Sequence, residues 1–203
     1  KQYSSSFGHV FVRPRTATRS RGAEMEALAY ASGDLAVAAY GNRDKVLDAL
    51  FSDDHLSETV ATADEAIRVA ERLKDMPTVL HVRALRQFIE QIRTPSPGAA
   101  RLDGDYFDSK ASWGELERGD LGNAARAVAS LEALLGLLHG RYGDVVALHR
   151  RPWPRFGVAP FQAQTQIWRF ATSIALLRTA GRPSRFALWN IGRLAKLNPA
   201  DFA

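Results

Sequence analysis

From Ala23 onward the apolar residues recur three and four positions apart, and runs of alternating β-branched residues are scarce. That spacing fits one face of an α-helix and not the pleat of a strand, so the reading is an all-α chain. At 203 residues such a chain buries roughly 70% of its unfolded surface, enough for a packed core. The expected architecture is an irregular body of helical hairpins over residues 23–149. An extended basic arm at 1–22 precedes it, and a basic, aromatic-rich helical arm at 150–203 follows.

The body divides at its glycines and prolines. Glu24 to Tyr40 and Asp44 to Phe51 read as helices separated by Gly41-Asn42. Val60, Ala63, Ile67, Ala70 and Leu73 then line one helical face, a stripe that needs a partner. Another helix starts near Pro77, which a first turn accepts because its missing N–H has no intrahelical role there. That helix carries Val82, Leu85, Ile89 and Ile92 until Thr94-Pro95-Ser96-Pro97-Gly98 stops it. Tyr106 to Arg118, Leu121 to His139 and the short Arg141 to Leu148 complete the body. Pro152 and Pro154, flanking Trp153, interrupt the helix before the tail. There Gln162 to Ala180 sets Ile167, Phe170, Ala171, Ile174 and Leu177 along one helical stripe, and Ser184 to Leu197 forms the last helix.

Two segments echo each other: Gly33-Asp34-Leu35-Ala36-Val37-Ala38-Ala39 and Gly119-Asp120-Leu121-Gly122-Asn123-Ala124-Ala125. Both read GDLxxAA, which resembles the turn of tetratricopeptide-like hairpins, where a small residue lets the second helix press on the first. The resemblance implies a protein-binding scaffold. The copies lie 86 residues apart, not at the sustained short period of a solenoid, so ordinary hairpins are expected.

Charge is segregated. Residues 1–23 carry five basic groups and no carboxylate; residues 24–149 carry 13 basic and 21 acidic groups; residues 150–203 carry nine basic groups against Asp201. Basic ends on an acidic body favour contact with something anionic, whether lipid, nucleic acid or an acidic partner. Arginine outnumbers lysine 22 to 5, and its planar fork pairs with phosphate or carboxylate through two hydrogen bonds. In the N-terminal arm the expected contact residues are Arg13, Arg15, Arg19 and Arg21. In the tail they are Arg150, Arg151, Trp153, Arg155, Trp168, Arg169, Arg178, Arg182, Arg185, Trp189 and Arg193, because tryptophan and arginine dominate interface hot spots and also suit the head-group layer of a membrane.

The first residues, Lys1 to Gly22, are rich in Arg, Ser and Thr and free of acid. This composition resembles mitochondrial targeting sequences and the stretches just after their cleavage sites. Lys1-Gln2-Tyr3-Ser4 is similar to the basic-x-aromatic-Ser pattern of mitochondrial processing peptidase sites. The resemblance implies a mitochondrial protein; a bacterial cytoplasmic one, its His9 to Val12 a short extended patch, is the alternative.

Chemistry-bearing patterns are few. The chain has no cysteine, which excludes disulfides, thiolate nucleophiles and zinc-thiolate sites. Asp53-Asp54-His55 reads as a helix cap rather than a metal site. Asp103, Asp105 and Asp108 lack the glycine and distal glutamate of a calcium loop. His139 and His149 stand without further donors, and Gly136 and Gly140 read as close packing between helices. No phosphate loop, dinucleotide fingerprint or serine elbow occurs. No run reaches the roughly 20 apolar residues of a membrane span. The expectation is therefore a non-enzymatic accessory or structural subunit, without cofactor or metal, of a mitochondrial inner-membrane assembly such as a respiratory-chain complex or the ATP synthase. Its partners would be other subunits, with anionic lipid (cardiolipin) as a companion contact. The alternatives are a mitoribosomal or other RNA-contacting structural protein and a bacterial helical adaptor.

Overall fold

A computed structural model describes residues 24, 26–51, 55–94, 101–118, 122–151, 163–180 and 184–197. Among them are nine helices and no strand: α1 (26–32), α2 (Leu35–Leu50), α3 (Leu56–Arg72), α4 (Met76–Arg93), α5 (Ser109–Arg118), α6 (Gly122–Leu138), α7 (Tyr142–His149), α8 (Ala163–Thr179) and α9 (Arg185–Leu197). The chain is all-α, as its periodicity predicts. Arg13, Arg15, Arg19 and Arg21, the His9 to Val12 patch, Trp153, Arg155 and Arg182 lie outside the described residues.

Three helix ends share one device. Gly33, Lys74 and Gly140 take positive φ (73°, 56° and 67°). The N–H of the next residue then reaches the carbonyl five positions back: Asp34 to Ala29 (2.9 Å), Asp75 to Ala70 (3.1 Å) and Arg141 to Gly136 (2.7 Å). This satisfies carbonyls that a helix end leaves open. At two of these turns the next residue is an aspartate that caps the following helix, Asp34 accepting from the Val37 N–H and Asp75 from that of Thr78. The GDL turn at Gly33 is therefore a helix stop followed at once by a cap. Its second copy, at Gly119 to Leu121, falls outside the described residues, although Ala124 and Ala125 are buried as Ala38 and Ala39 are.

Two sequence expectations are corrected here. The first hairpin turns at Gly33-Asp34, not at Gly41-Asn42, which sit within α2. Asn42 donates to the Ala38 carbonyl (3.0 Å) and to Glu26 (2.8 Å), and Gly41 gives Glu26 of α1 close approach. Small polar side chains here join two helices rather than break one. Gly140, paired with Gly136 by spacing, ends α6 in the left-handed region and does not pack between helices. The expected cap near Asp53-Asp54-His55 is His55 itself, whose ring accepts from the Ser57 N–H (3.3 Å).

Packing follows chain order. α2 packs on α3 and α4, α4 on α6, and α6 on α8, while α3, α5, α7 and α9 are each held by their neighbours in sequence. The row α2–α4–α6–α8 thus stacks hairpins one after another, closer to the quasi-linear logic of repeat proteins than sequence spacing alone suggests. Two cores result. The larger joins Val46, Ala63, Leu85, Phe88, Ile89, Leu102, Leu116 and Leu131, and the smaller joins Ala129, Ala133, Val145, Trp168, Ala171 and Ala175. Trp113 packs against both.

Candidate functional site

The apolar stripe of α8 is split: Ala171 is buried, Ile167, Ile174 and Leu177 are half-buried and Phe170 is exposed. Thr165, Gln166, Trp168, Ala171, Thr172, Ser173 and Ala175 are buried, whereas Phe170, which shares its apolar stripe with Ala171, is 48% exposed. The reason is steric: α8 lies against α6, α7 and α9, and the small residues at the contact let the backbones approach closely.

On α9, Phe186 is 39%, Leu188 54% and Trp189 52% exposed. Ring contacts tie these helices together. Arg169 of α8 sits over the Trp189 ring at 5.7 Å, a cation–π arrangement. His149, at the end of α7, lies 4.9 Å from the Phe186 ring and 6.1 Å from that of Trp168. Burial and the neighbouring Arg150 hold the His149 ring below the usual histidine pKa, so it is neutral here. Arg150, Arg151, Arg178 and Arg185 are exposed. Arg193 belongs to α9, but its side chain is outside the description. Residues 150–200 contain no carboxylate.

Of the expected contact residues, Trp168 is 4% exposed and belongs to the smaller core. It stiffens the platform rather than presenting a face. Sequence reasoning missed Phe170, Phe186 and Leu188 as surface groups. The available signal was the excess of large apolar residues on both sides of these helices.

A second feature lies on the body. A cleft of about 620 Å³ is lined by Ala61, Asp64, Ile67 and Arg68 of α3, Arg83 of α4, and Asp105 and Tyr106 of the segment before α5. Two of its lining residues, Asp64 and Tyr106, are held by Arg86, whose side chain is 5% exposed. Its guanidinium donates to Asp64 (3.0 Å), Glu90 (2.9 Å) and the Tyr106 hydroxyl (2.8 Å), and stacks over the Tyr106 ring at 3.9 Å. These partners stabilise the cation against its burial, and Glu90 is pulled below the ordinary carboxylate range by Arg86. The cleft's own arginines are engaged, Arg68 with Glu65 (2.7 Å) and Arg83 with Glu71 (2.6 Å). In the adjoining core His81 of α4 is buried and kept neutral, by desolvation first and by Arg43 second.

Two of the three aspartates of residues 103–108 build a turn. Asp103 accepts from the Ser109 N–H (3.0 Å) and hydroxyl (2.8 Å), and Asp108 accepts from the Ala111 N–H (2.8 Å) to cap α5. Among the described residues no cluster of three His, Asp or Glu side chains is placed to hold a metal ion, and no helix is long and apolar enough to cross a membrane. No protein-family model, curated protein or solved structure matches the chain.

Proposed function

We propose that the chain is a non-catalytic accessory subunit of a large mitochondrial inner-membrane assembly, a respiratory-chain complex or the ATP synthase. The helical stack docks on neighbouring subunits, and the α8–α9 tail pins it peripherally to the assembly, with anionic lipid as companion contact. One observation carries the reading: four large apolar side chains, Phe170, Phe186, Leu188 and Trp189, are exposed in a region where Arg178 and Arg185 are also exposed and where Arg169 covers Trp189. Exposed aromatics interleaved with arginine suit an interface centre, where desolvated rings and bidentate cations contribute most of the affinity. The acid-free, Arg- and Ser-rich composition of residues 1–22 supports the compartment.

The test is gentle detergent extraction of mitochondrial membranes followed by native gel separation. Migration with a large complex is expected. Migration as a free chain overturns the proposal, and nuclease-sensitive sedimentation with steep salt dependence assigns the tail to RNA instead.

A further inference from the structure

A row of stacked hairpins has two ends, and an isolated row needs polar outer faces there to stay in solution. Both ends of the row α2–α4–α6–α8 are apolar instead. At the first, α1 is joined to α2 through Glu26, which accepts from Asn42 (2.8 Å) and pairs with Lys45. Leu28 of α1 is 69% exposed, and Tyr30, Leu35 and Tyr40 of the same stretch are exposed too. Ala27 and Ala31 join Leu28 on the solvent side of α1, while Ala29 is buried. At the other end stand the exposed Phe170, Phe186, Leu188 and Trp189. Between Tyr40 and Phe170 the only other large apolar side chains so exposed, among the described residues, are Met76, Tyr106 and Leu138. Apolar surface is therefore concentrated at the two ends, the pattern of contact surfaces rather than of scattered exposed residues.

The ends also differ in sign. From Glu24 to Tyr40 there are three carboxylates, Glu24, Glu26 and Asp34, and no lysine or arginine. Glu24 and Asp34 are exposed. Residues 150–200 hold arginines and no carboxylate, and Arg178 and Arg185 are exposed. Two like ends brought together would set acid against acid or arginine against arginine, which is costly in a desolvated contact. Unlike ends match in both apolar content and charge.

We infer that the α8–α9 face is covered by the α1–α2 end of a second copy of this chain, so that copies associate head to tail. The apolar side chains of one end cover those of the other, and Glu24 and Asp34 neutralise Arg178 and Arg185. The two partners contribute different surfaces, and the contact continues the row from one copy into the next. This rests on the reading of the tail as a docking face and names one of its neighbours; it does not depend on the compartment.

Sedimentation velocity of the purified full chain tests the pairing, at about 1 µM and about 100 µM and in about 50 mM and about 500 mM salt. The mean mass is expected to rise above the 22.4 kDa of one chain with concentration and to fall back with salt. Leu28→Lys at the acidic end and Trp189→Glu at the basic end each place a like charge in the contact. Either variant alone is expected to associate at least about tenfold more weakly. Mixed in equal amounts, they keep one intact end each, of opposite kinds, and should form a dimer of twice the chain mass that grows no further. Recovery in the mixture also shows that both variants are folded. An unaltered chain that stays monomeric throughout overturns the inference without recourse to any variant. So does either variant that associates alone as tightly as the unaltered chain, or a mixture that stays monomeric while both variants keep its helical circular dichroism. Trp189-dependent binding to phosphatidylcholine vesicles containing cardiolipin, by a chain that does not self-associate, gives the face to lipid and overturns it as well. Comigration with a large complex on the native gel is read separately, so the accessory-subunit reading stands or falls by its own result.

Discussion

The α3–α5 region and the α8–α9 region are built on opposite principles. In the first, Phe88, Leu85, Ile89, Leu102 and Leu116 are sealed inside, and the buried Arg86 has three partners within 3.0 Å. In the second, the buried residues other than Trp168 are small or polar, and Phe170, Phe186, Leu188 and Trp189 face outward. Asn190 is fully buried with both amide atoms unpartnered, and the Ser173 hydroxyl is buried and unpartnered too. Burying such groups costs free energy and returns none. Both regions bury unpartnered polar atoms, Thr59 Oγ1, His81 Nε2 and Gln91 Oε1 among them in the first; what separates them is the outward placement of Phe170, Phe186, Leu188 and Trp189 in the second, as expected of a segment whose contacts are finished by another molecule.

Substitutions sharpen this contrast. Truncating Phe88→Ala is expected to destabilise the isolated chain by about 3–5 kcal/mol, since it opens a cavity in the larger core. Trp189→Ala should cost only about 1 kcal/mol, because Trp189 is half exposed and loses chiefly its contact with Arg169. Paired denaturant titrations measure both, and equal costs would break the distinction. Between these extremes, Asn190→Leu replaces an unpaired buried amide with an apolar side chain of similar volume. It is expected to raise the stability of the isolated chain by about 1–2 kcal/mol. A loss of stability would show that Asn190 is satisfied within its own fold.

Much of the fold is legible in the sequence, for definite reasons. Helix class follows from apolar spacing, and α4, α6, α8 and α9 begin and end within a few residues of the expected points because Pro77, Gly181 and Pro183 punctuate the chain. Where the reading fails, two meanings of one residue type compete. Gly41-Asn42 has turn-like composition but packs two helices. Tyr106 to Asp108 has helical spacing but serves a turn held by Asp103, Ser109 and Gln87. Position 74 shows the converse, since Lys74 adopts the left-handed conformation that a glycine would advertise.

The site is less legible. Charge and aromatic content point to the tail, and Arg178, Arg185 and Trp189 are indeed exposed. Periodicity alone cannot choose which face of an all-round apolar helix turns inward. The small residues Ala171 and Ala175 win the contact with α6, so Trp168 is buried and Phe170 is not.

Hydroxyl-radical footprinting of Phe186 and Trp189 tests the central claim most directly, comparing chain in native membrane extracts with the same chain purified to a monomer. Strong labelling of the monomer and protection in the extract, with Trp168 weakly labelled in both, is the predicted result. Equal labelling of Phe186 and Trp189 in the two states would contradict the view that this face is completed by another molecule.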